Sequence, residues 1–185
     1  MKYFLITGLL LITILFAACE TTPKTAQNTS STSKQSFPEV STETSKPKVN
    51  PAETVQFSAD KIEVKAGAAG EAMLKIRIIS PYHINANPPS DKNLIPTEIE
   101  FESKNGITAD KPVYPTGETK TFAFSPDKPL SVYEGEIEIK MPIRVAAGAA
   151  KGIQSVPGKL KFQPCDNEVC YRPQTIDVLL QVAVS

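Results

Sequence analysis

The sequence predicts an all-β protein built as an antiparallel β-sandwich, and three observations lead to this expectation. From about residue 51 onward, apolar side chains recur at every second position, which is the period of a strand with one buried face. No segment keeps the 3.6-residue period of a helix. The 16 Pro and 9 Gly favour strands and turns over long helices. We expect about seven to nine strands over about 130 residues.

The candidate strands follow one another along the chain. Two short ones, residues 55–57 and 62–64, precede longer runs in which apolar residues alternate with charged ones. The residues expected to face inward in these runs are Leu74, Ile76, Ile78, Ile99, Phe101, Phe122, Phe124, Ile137, Ile139, Met141, Ile143, Leu160, Phe162, Val178, Leu180 and Val182. Turn-forming residues separate the runs at 87–89, 105–106, 115–117, 125–127 and 157–158.

The charge balance and the residue counts exclude several classes of function. With 20 Lys plus Arg against 20 Asp plus Glu, the net charge is zero, whereas a protein that binds nucleic acid normally gathers a basic excess on one face. The chain has a single His, and two thiols with one distant His do not complete a tetrahedral metal site. We therefore expect no nucleic-acid partner, no metal and no bound cofactor.

Residues 1–18 have the features of a lipoprotein signal peptide. An apolar run from Tyr3 to Ala18 follows a positive start, and as a helix it would span about 24 Å, short of the ~30 Å of a hydrocarbon core. Its end resembles a bacterial lipobox, with Phe16 where Leu is usual, and this resemblance implies that Cys19 is lipidated. The alternative is an ordinary signal peptide cut nearby, which would leave a free thiol at Cys19.

Residues 19–50 are expected to form the lipid site and a disordered, Ser/Thr-rich tether, because they cannot bury enough apolar area to offset their ordering entropy. A flexible chain of this length reaches about 30 Å and would hold the folded domain, residues 51–185, near a membrane. We expect the protein in the cell envelope, facing the periplasm or the exterior. Glu20 stands where Asp would indicate inner-membrane retention in enteric bacteria, so the outer membrane is compatible with the sequence.

Two cysteines near the end of the chain carry the most specific chemistry. Cys165 and Cys170 flank four residues, between a strand that ends at Phe162 and another that begins near Thr175. Beyond an export signal they would meet an oxidising compartment, and a hairpin tip brings them within reach of a disulfide. Closing so small a loop contributes only roughly 2 kcal/mol, which favours an exchangeable disulfide. A structural disulfide remains the alternative.

The residues around this pair resemble a known family. The segment 162–173 (FQPCDNEVCYRP), with residues 82–89, 94–97 and 132–135, is similar to the N-terminal periplasmic domain of the thiol:disulfide interchange protein DsbD, over residues 55–184. The resemblance implies an immunoglobulin-like sandwich with a redox hairpin. It also implies an electron relay in which Cys165 and Cys170 are reduced by a membrane protein and then reduce thioredoxin-like extracytoplasmic partners. We expect the membrane electron donor to be a separate protein here.

Four further residues are candidates to support the exchange. His83 is the only imidazole available to activate a thiolate, against the alternative of a strand histidine satisfied by a backbone group. Asp166 and Glu168 are candidate proton acceptors beside the sulfurs, against the alternative of solvated turn residues. By resemblance, Tyr133 lies in the region that caps the disulfide, against the alternative of a core tyrosine at a strand start.

These observations predict a lipid-anchored thiol-disulfide oxidoreductase domain that relays electrons to or from thioredoxin-like proteins. By resemblance, Cys170 is the sulfur that is attacked first, and Cys165 is the resolving thiol. One alternative is a non-catalytic β-sandwich lipoprotein that binds a protein partner and uses its disulfide only to shape a loop. A structural lipoprotein without chemistry is a third hypothesis.

Overall fold

A computed structural model describes residues 49–185, so the predicted signal peptide, Cys19 and nearly all of the predicted tether lie outside the described residues. The described chain begins with a short 3-10 turn, Pro51–Thr54, and continues in strands. The strands are β1 (Val55–Ala59), β2 (Ile62–Val64), β3 (Ala69–Ile78), β4 (His83–Asn85), β5 (Glu98–Phe101), β6 (Ile107–Ala109), β7 (Glu118–Phe122), β8 (Ser125–Tyr133), β9 (Glu136–Val145), β10 (Gly152–Phe162), β11 (Pro164–Cys165) and β12 (Gln174–Val184). Between residues 49 and 185, no helix is long and apolar enough to cross a membrane.

The strands form three four-stranded sheets. The first sheet has the order β1-β3-β9-β6, the second β2-β12-β10-β5, and the third β11-β4-β8-β7. The pairings are antiparallel, apart from the parallel pair β2–β12 at one edge of the second sheet. The predicted all-β antiparallel sandwich is therefore confirmed. The described residues contain twelve strands, more than the expected seven to nine, because strands as short as β4 and β11 have no alternation of their own in the sequence.

The main core contains inward-facing side chains of the first and second sheets. β3 and β9 pair from Ala69 to Arg77, and β10 pairs with β12 along its whole length, so each sheet has a long central ladder. The alternating burial along these strands gives one hydrophobic cluster from both sheets. Its fully buried members from these four strands include Leu74, Ile76, Ile139, Met141, Ile143, Leu160, Phe162, Leu180 and Val182.

The alternation at Phe122 and Phe124 belongs to a hairpin and not to a single strand. β7 ends at Phe122, β8 begins at Ser125, and these two residues pair across a two-residue turn. The turn predicted at residues 125–127 is therefore wrong. Phe122 ends β7 and Phe124 lies in the turn, and their rings stack with centroids 5.4 Å apart. The pattern misleads because a spacing of two residues is also the spacing of one face of a strand.

The turn predicted at residues 157–158 is also wrong, since both residues lie inside β10. The carbonyl of Pro157 accepts the N–H of Glu102, the residue just after β5. The edge of Pro157 that has no N–H to donate therefore lies where the β5–β10 ladder ends. Gly158 lies against β5, and a Cβ there would come within 2.5 Å of the Phe101 ring. The absence of a side chain at Gly158 thus permits the close approach of β5 to β10.

The third sheet positions the candidate site. Its β4 is buried at every residue and is flanked by β11 on one side and β8 on the other. Ile84 and Tyr133 contribute to the main core, whereas Phe122 and Val132 belong to a smaller cluster of their own. Because strand residues alternate between faces, His83 and Cys165 lie on the opposite face from Ile84.

Candidate redox site

Cys165 and Cys170 form a disulfide in the hairpin segment between β10 and β12. The S–S distance is 2.03 Å and the two Cα atoms are 4.0 Å apart. Cys165 ends β11, pairs with His83 of β4 and is fully buried, whereas Cys170 is half-buried. The two ends of the bond therefore differ in access, and Cys170 is on the more open side.

Asp166 organises the loop between the two cysteines. Its Oδ1 accepts the backbone N–H groups of Glu168, at 2.8 Å, and of Val169, at 2.9 Å. Its own backbone N–H donates to the carbonyl of Val169 at 2.9 Å. The Asp166 carboxylate is thus part of the loop's hydrogen bonding, while the Glu168 side chain lies exposed at the tip.

Tyr171 closes the same loop from the other end. Its hydroxyl donates to Asp166 Oδ2 at 2.8 Å, and its backbone N–H donates to the carbonyl of Pro164 at 2.8 Å. The ring packs edge-on against Tyr82, with centroids 6.0 Å apart. The hydrogen bond to the carboxylate, with a further contribution from burial, raises the pKa of Tyr171 to about 12. The phenol therefore stays a neutral donor at neutral pH.

The sequence analysis did not identify this role of Tyr171. An Asp at the start of a polar turn is a recognisable signal that its side chain accepts backbone N–H groups of that turn, and Asp166 stands in this position. That signal identifies the acceptor but not a donor beyond the turn. The spacing of five between Asp166 and Tyr171 has no strand or helix period that would indicate the contact.

Two amide side chains tie the hairpin to the rest of the third sheet. Gln163 donates from Nε2 to the carbonyl of Tyr171 at 3.0 Å. Asn85 donates from Nδ2 to Gln163 Oε1 at 3.4 Å and to the carbonyl of Ile95 at 3.0 Å. The second half of the hairpin is therefore connected to β4 and to the loop before β5.

His83 is fully buried opposite Cys165, and neither of its ring nitrogens has a hydrogen-bond partner within residues 49–185. The alternative of a histidine satisfied by a backbone group is therefore wrong. The ring stacks on Phe122, with centroids 4.0 Å apart and planes at 15°, and Phe124 lies further out at 6.4 Å. The backbone pairing of β4 with β11 and the β7–β8 hairpin together create this apolar surrounding.

Burial is the main influence on the pKa of His83 and lowers it from 6.5. The carboxylates of Glu134 and Asp166 act in the opposite direction, whereas the ammonium of Lys120 lowers the pKa further. Lys120 and Glu134 are themselves an ion pair, so their fields at the ring partly cancel. The neutral imidazole is the favoured form at neutral pH.

Tyr133 lies in the main core and ends β8, so it is not at a strand start. Its hydroxyl donates to the carbonyl of Pro115 at 2.8 Å and accepts the N–H of Asn87 at 3.2 Å. Those contacts join the loop after β4 to the loop before β7. Among the described residues, the aromatic rings that stack near His83 are Phe122 and Phe124, and not Tyr133.

Comparison with known proteins shows a family match over most of the chain. Residues 48–182 match the family described as "Thiol:disulfide interchange protein DsbD, N-terminal". No curated protein matches. Among solved structures, the N-terminal periplasmic domain of ScsB from Proteus mirabilis is 15% identical with a TM-score of 0.41, and the alignment covers 70% of this chain and 45% of that one. A cohesin–dockerin complex from Clostridium thermocellum is 12% identical with a TM-score of 0.38, covering 71% of this chain and 99% of that one.

The family match includes both cysteines, His83 and the strands that hold them. The chain spans less than half of the Proteus mirabilis chain that it resembles. Because the match extends over well more than half of the sequence and contains the whole hairpin with both cysteines, this chain belongs to the family of DsbD N-terminal domains.

Proposed function

We propose that this domain relays electrons by thiol-disulfide exchange through the Cys165–Cys170 pair. The observation that carries the proposal is a disulfide between residues only five apart, at a hairpin tip, with one buried and one half-buried cysteine. A bond that closes so short a loop contributes only roughly 2 kcal/mol to stability in the chain-entropy model. Its unequal exposure, by contrast, suits attack from one side by a partner thiolate.

The exchange balances as two successive displacements. A reductant's thiolate attacks Cys170 Sγ, the Cys165–Cys170 bond breaks, and Cys165 leaves as a thiolate while a mixed disulfide joins Cys170 to the reductant. The reductant's second thiolate then attacks the reductant's first sulfur in the mixed disulfide and releases Cys170 as a thiolate. Two electrons pass to the pair, which takes up two protons, and the reductant becomes a disulfide. The reduced pair acts on a partner's disulfide by the reverse steps.

His83 supports this exchange as a proton acceptor for Cys165. When Cys170 has formed a mixed disulfide with an oxidised partner, the Cys165 thiol must lose its proton before it attacks and resolves that bond. His83 pairs with Cys165 in the β4–β11 ladder, is neutral, and has a ring nitrogen lone pair that no described group uses. Asp166 and Glu168 are the two carboxylates between the cysteines. A role of either as proton acceptor is a weaker proposal than that of His83, because a nearby negative charge raises thiol pKa values.

Anchoring and partners complete the proposed function. We infer that Cys19 is lipidated and that residues 19–50 tether the domain in the cell envelope, on the support of the lipobox-like sequence. The proposed electron donor lies in the membrane, and the proposed acceptors are thioredoxin-like extracytoplasmic proteins, on the support of the family match. Replacing Cys19 with Ala should move the protein from the membrane fraction to the soluble fraction. Retention of the variant in washed membranes would contradict the lipid anchor.

Trapping of mixed disulfides tests the relay. A Cys165→Ala variant keeps the half-buried Cys170 and should displace thionitrobenzoate from a single-cysteine thioredoxin activated as its thionitrobenzoate disulfide, so that a stable mixed disulfide accumulates, whereas Cys170→Ala should accumulate much less. The double variant Cys165→Ala/Cys170→Ala is the matched control and should trap nothing through this hairpin. Equal trapping by the single variants would reverse or abolish the proposed order of attack. No trapping, with a reduction potential below roughly −300 mV, would favour the non-catalytic lipoprotein with a structural disulfide.

A further inference from the structure

We propose that Asp166 and Tyr171 form a clip that keeps the hairpin loop closed after the Cys165–Cys170 disulfide opens, and that this clip sets how easily the pair is reduced. The inference rests on the proposed exchange function. Asp166 directly follows the first cysteine and Tyr171 directly follows the second. Their 2.8 Å hydrogen bond therefore runs beside the disulfide and joins the same two chain segments.

The bonds of the clip do not involve sulfur. Tyr171 donates from its hydroxyl to Asp166 and from its backbone N–H to the carbonyl of Pro164, the residue before the first cysteine. Asp166 Oδ1 meanwhile accepts two backbone N–H groups from within the loop. Breaking the S–S bond removes none of these donors or acceptors. The loop thus has a second set of bonds that remains available in the reduced protein.

The clip and the disulfide stabilise each other through the entropy of the loop. In the oxidised protein the disulfide closes the loop whether or not the clip is present. In the reduced protein the clip alone opposes the entropy that the chain would gain by opening. Without the clip the reduced loop relaxes, whereas the oxidised loop cannot. Loss of the clip therefore lowers the free energy of the reduced form relative to the oxidised form, and reduction becomes easier.

A purely electrostatic role of Asp166 makes the opposite prediction for one variant. Tyr171→Phe leaves the carboxylate charge in place and keeps a ring beside Tyr82, but it removes the hydroxyl that partly compensates that charge. A less compensated negative charge raises the thiol pKa values and disfavours reduction. The clip predicts that the same variant is reduced more easily, so the sign of the change separates the two roles.

The test is the equilibrium of the purified full-length protein with mixtures of reduced and oxidised dithiothreitol at pH 7. One S–S bond breaks in the protein and one forms in dithiothreitol, with two electrons and two protons transferred. We expect Tyr171→Phe to raise the equilibrium constant for reduction roughly two- to tenfold, because the coupling between clip and disulfide is of the size of one net hydrogen bond. Asp166→Ala, which also loses the Oδ1 bonds, should raise it at least as much.

Tyr114→Phe is the matched control. Its hydroxyl accepts the backbone N–H of Ile99 at 3.0 Å, so this variant also loses one tyrosine hydrogen bond, but away from the hairpin. It should melt at a lower temperature in both redox states and keep the wild-type equilibrium constant. Tyr171→Phe should instead lose more thermal stability when oxidised than when reduced, because only the oxidised loop is unable to relax.

Two outcomes contradict the proposals in different ways. An equilibrium constant in Tyr171→Phe that is unchanged or lower, with equal losses of melting temperature in the two redox states, would overturn the clip and leave the relay standing. A wild-type disulfide that does not equilibrate with dithiothreitol would overturn the relay itself, and with it the clip.

Discussion

At the scale of single residues, burial of His83 makes the stability of the domain depend on pH. Because burial lowers the pKa of the folded-state imidazole below 6.5, the unfolded chain binds more protons than the folded one in mildly acidic solution. The stability associated with the neutral ring is fully present above pH 6.5. It is lost as the pH falls below 6.5 and through the lowered folded-state pKa.

Replacing His83 with Phe should weaken this pH dependence. The substitution keeps an aromatic ring stacked on Phe122 and removes two buried nitrogens that lack partners, so it should not destabilise the domain at pH 7.5. Urea unfolding at pH 7.5 and pH 5.0 measures the effect. We expect the wild type to lose clearly more stability between these pH values than the variant. An identical loss in both proteins would show that groups other than His83 cause the pH dependence.

The sequence could identify the reacting residues but not their surroundings. Cys165 and Cys170 are close along the chain, so a local turn suffices to bring them together. His83 could be named as the single imidazole, yet its contact with Phe122 and its lack of partners depend on pairings between distant strands. Those pairings follow from the packing of the whole third sheet, which no spacing in the sequence encodes.

At the scale of strands, Gly158 lets β5 approach β10. An added Cβ would lie 2.5 Å from both the Phe101 ring and the carbonyl oxygen of Glu100, and the backbone atom cannot rotate away. Gly158→Ala should therefore destabilise the domain by about 1–3 kcal/mol, the usual cost of overpacking. Gly148→Ala is the control, because no atom lies within 4 Å of its added Cβ and stability should hardly change. Urea midpoints that fall equally in both variants would contradict the close approach.

The long strands were predictable because apolar residues recur at every second position along each of them. β3, β9 and β12 show it clearly, with apolar side chains inward; the outward side chains are mostly charged in β3 and β9, whereas those of β12 are mixed and include the exposed Leu179. β4 and β11 are too short to show a period and exist only because neighbouring strands pair with them. Residues 157–158 were mistaken for a turn because Pro and Gly signal turns locally, whereas their place inside β10 depends on its partners β5 and β12.

At the scale of the whole molecule, the disulfide and the main core are separate. The main core is built mostly from side chains of the long strands, and its hydrophobic cluster does not include the two cysteines. The disulfide joins residues five apart, so it adds no link between distant parts of the fold. A domain with this arrangement is able to exchange its disulfide without risking its overall structure, which a relay requires in both redox states.

Mild reduction should therefore leave the sandwich folded. The ladders β3–β9 and β10–β12 do not depend on the S–S bond, so the reduced protein should keep its β circular-dichroism spectrum and melt cooperatively. A contribution of about 2 kcal/mol from the disulfide corresponds to a fall in melting temperature of roughly 5–10 °C. Cys165→Ala/Cys170→Ala should melt near the reduced wild type and not respond to reductant. Loss of the β spectrum on reduction would instead make the disulfide a structural staple, because a relay that unfolds with each turnover could not present Cys170 to its next partner.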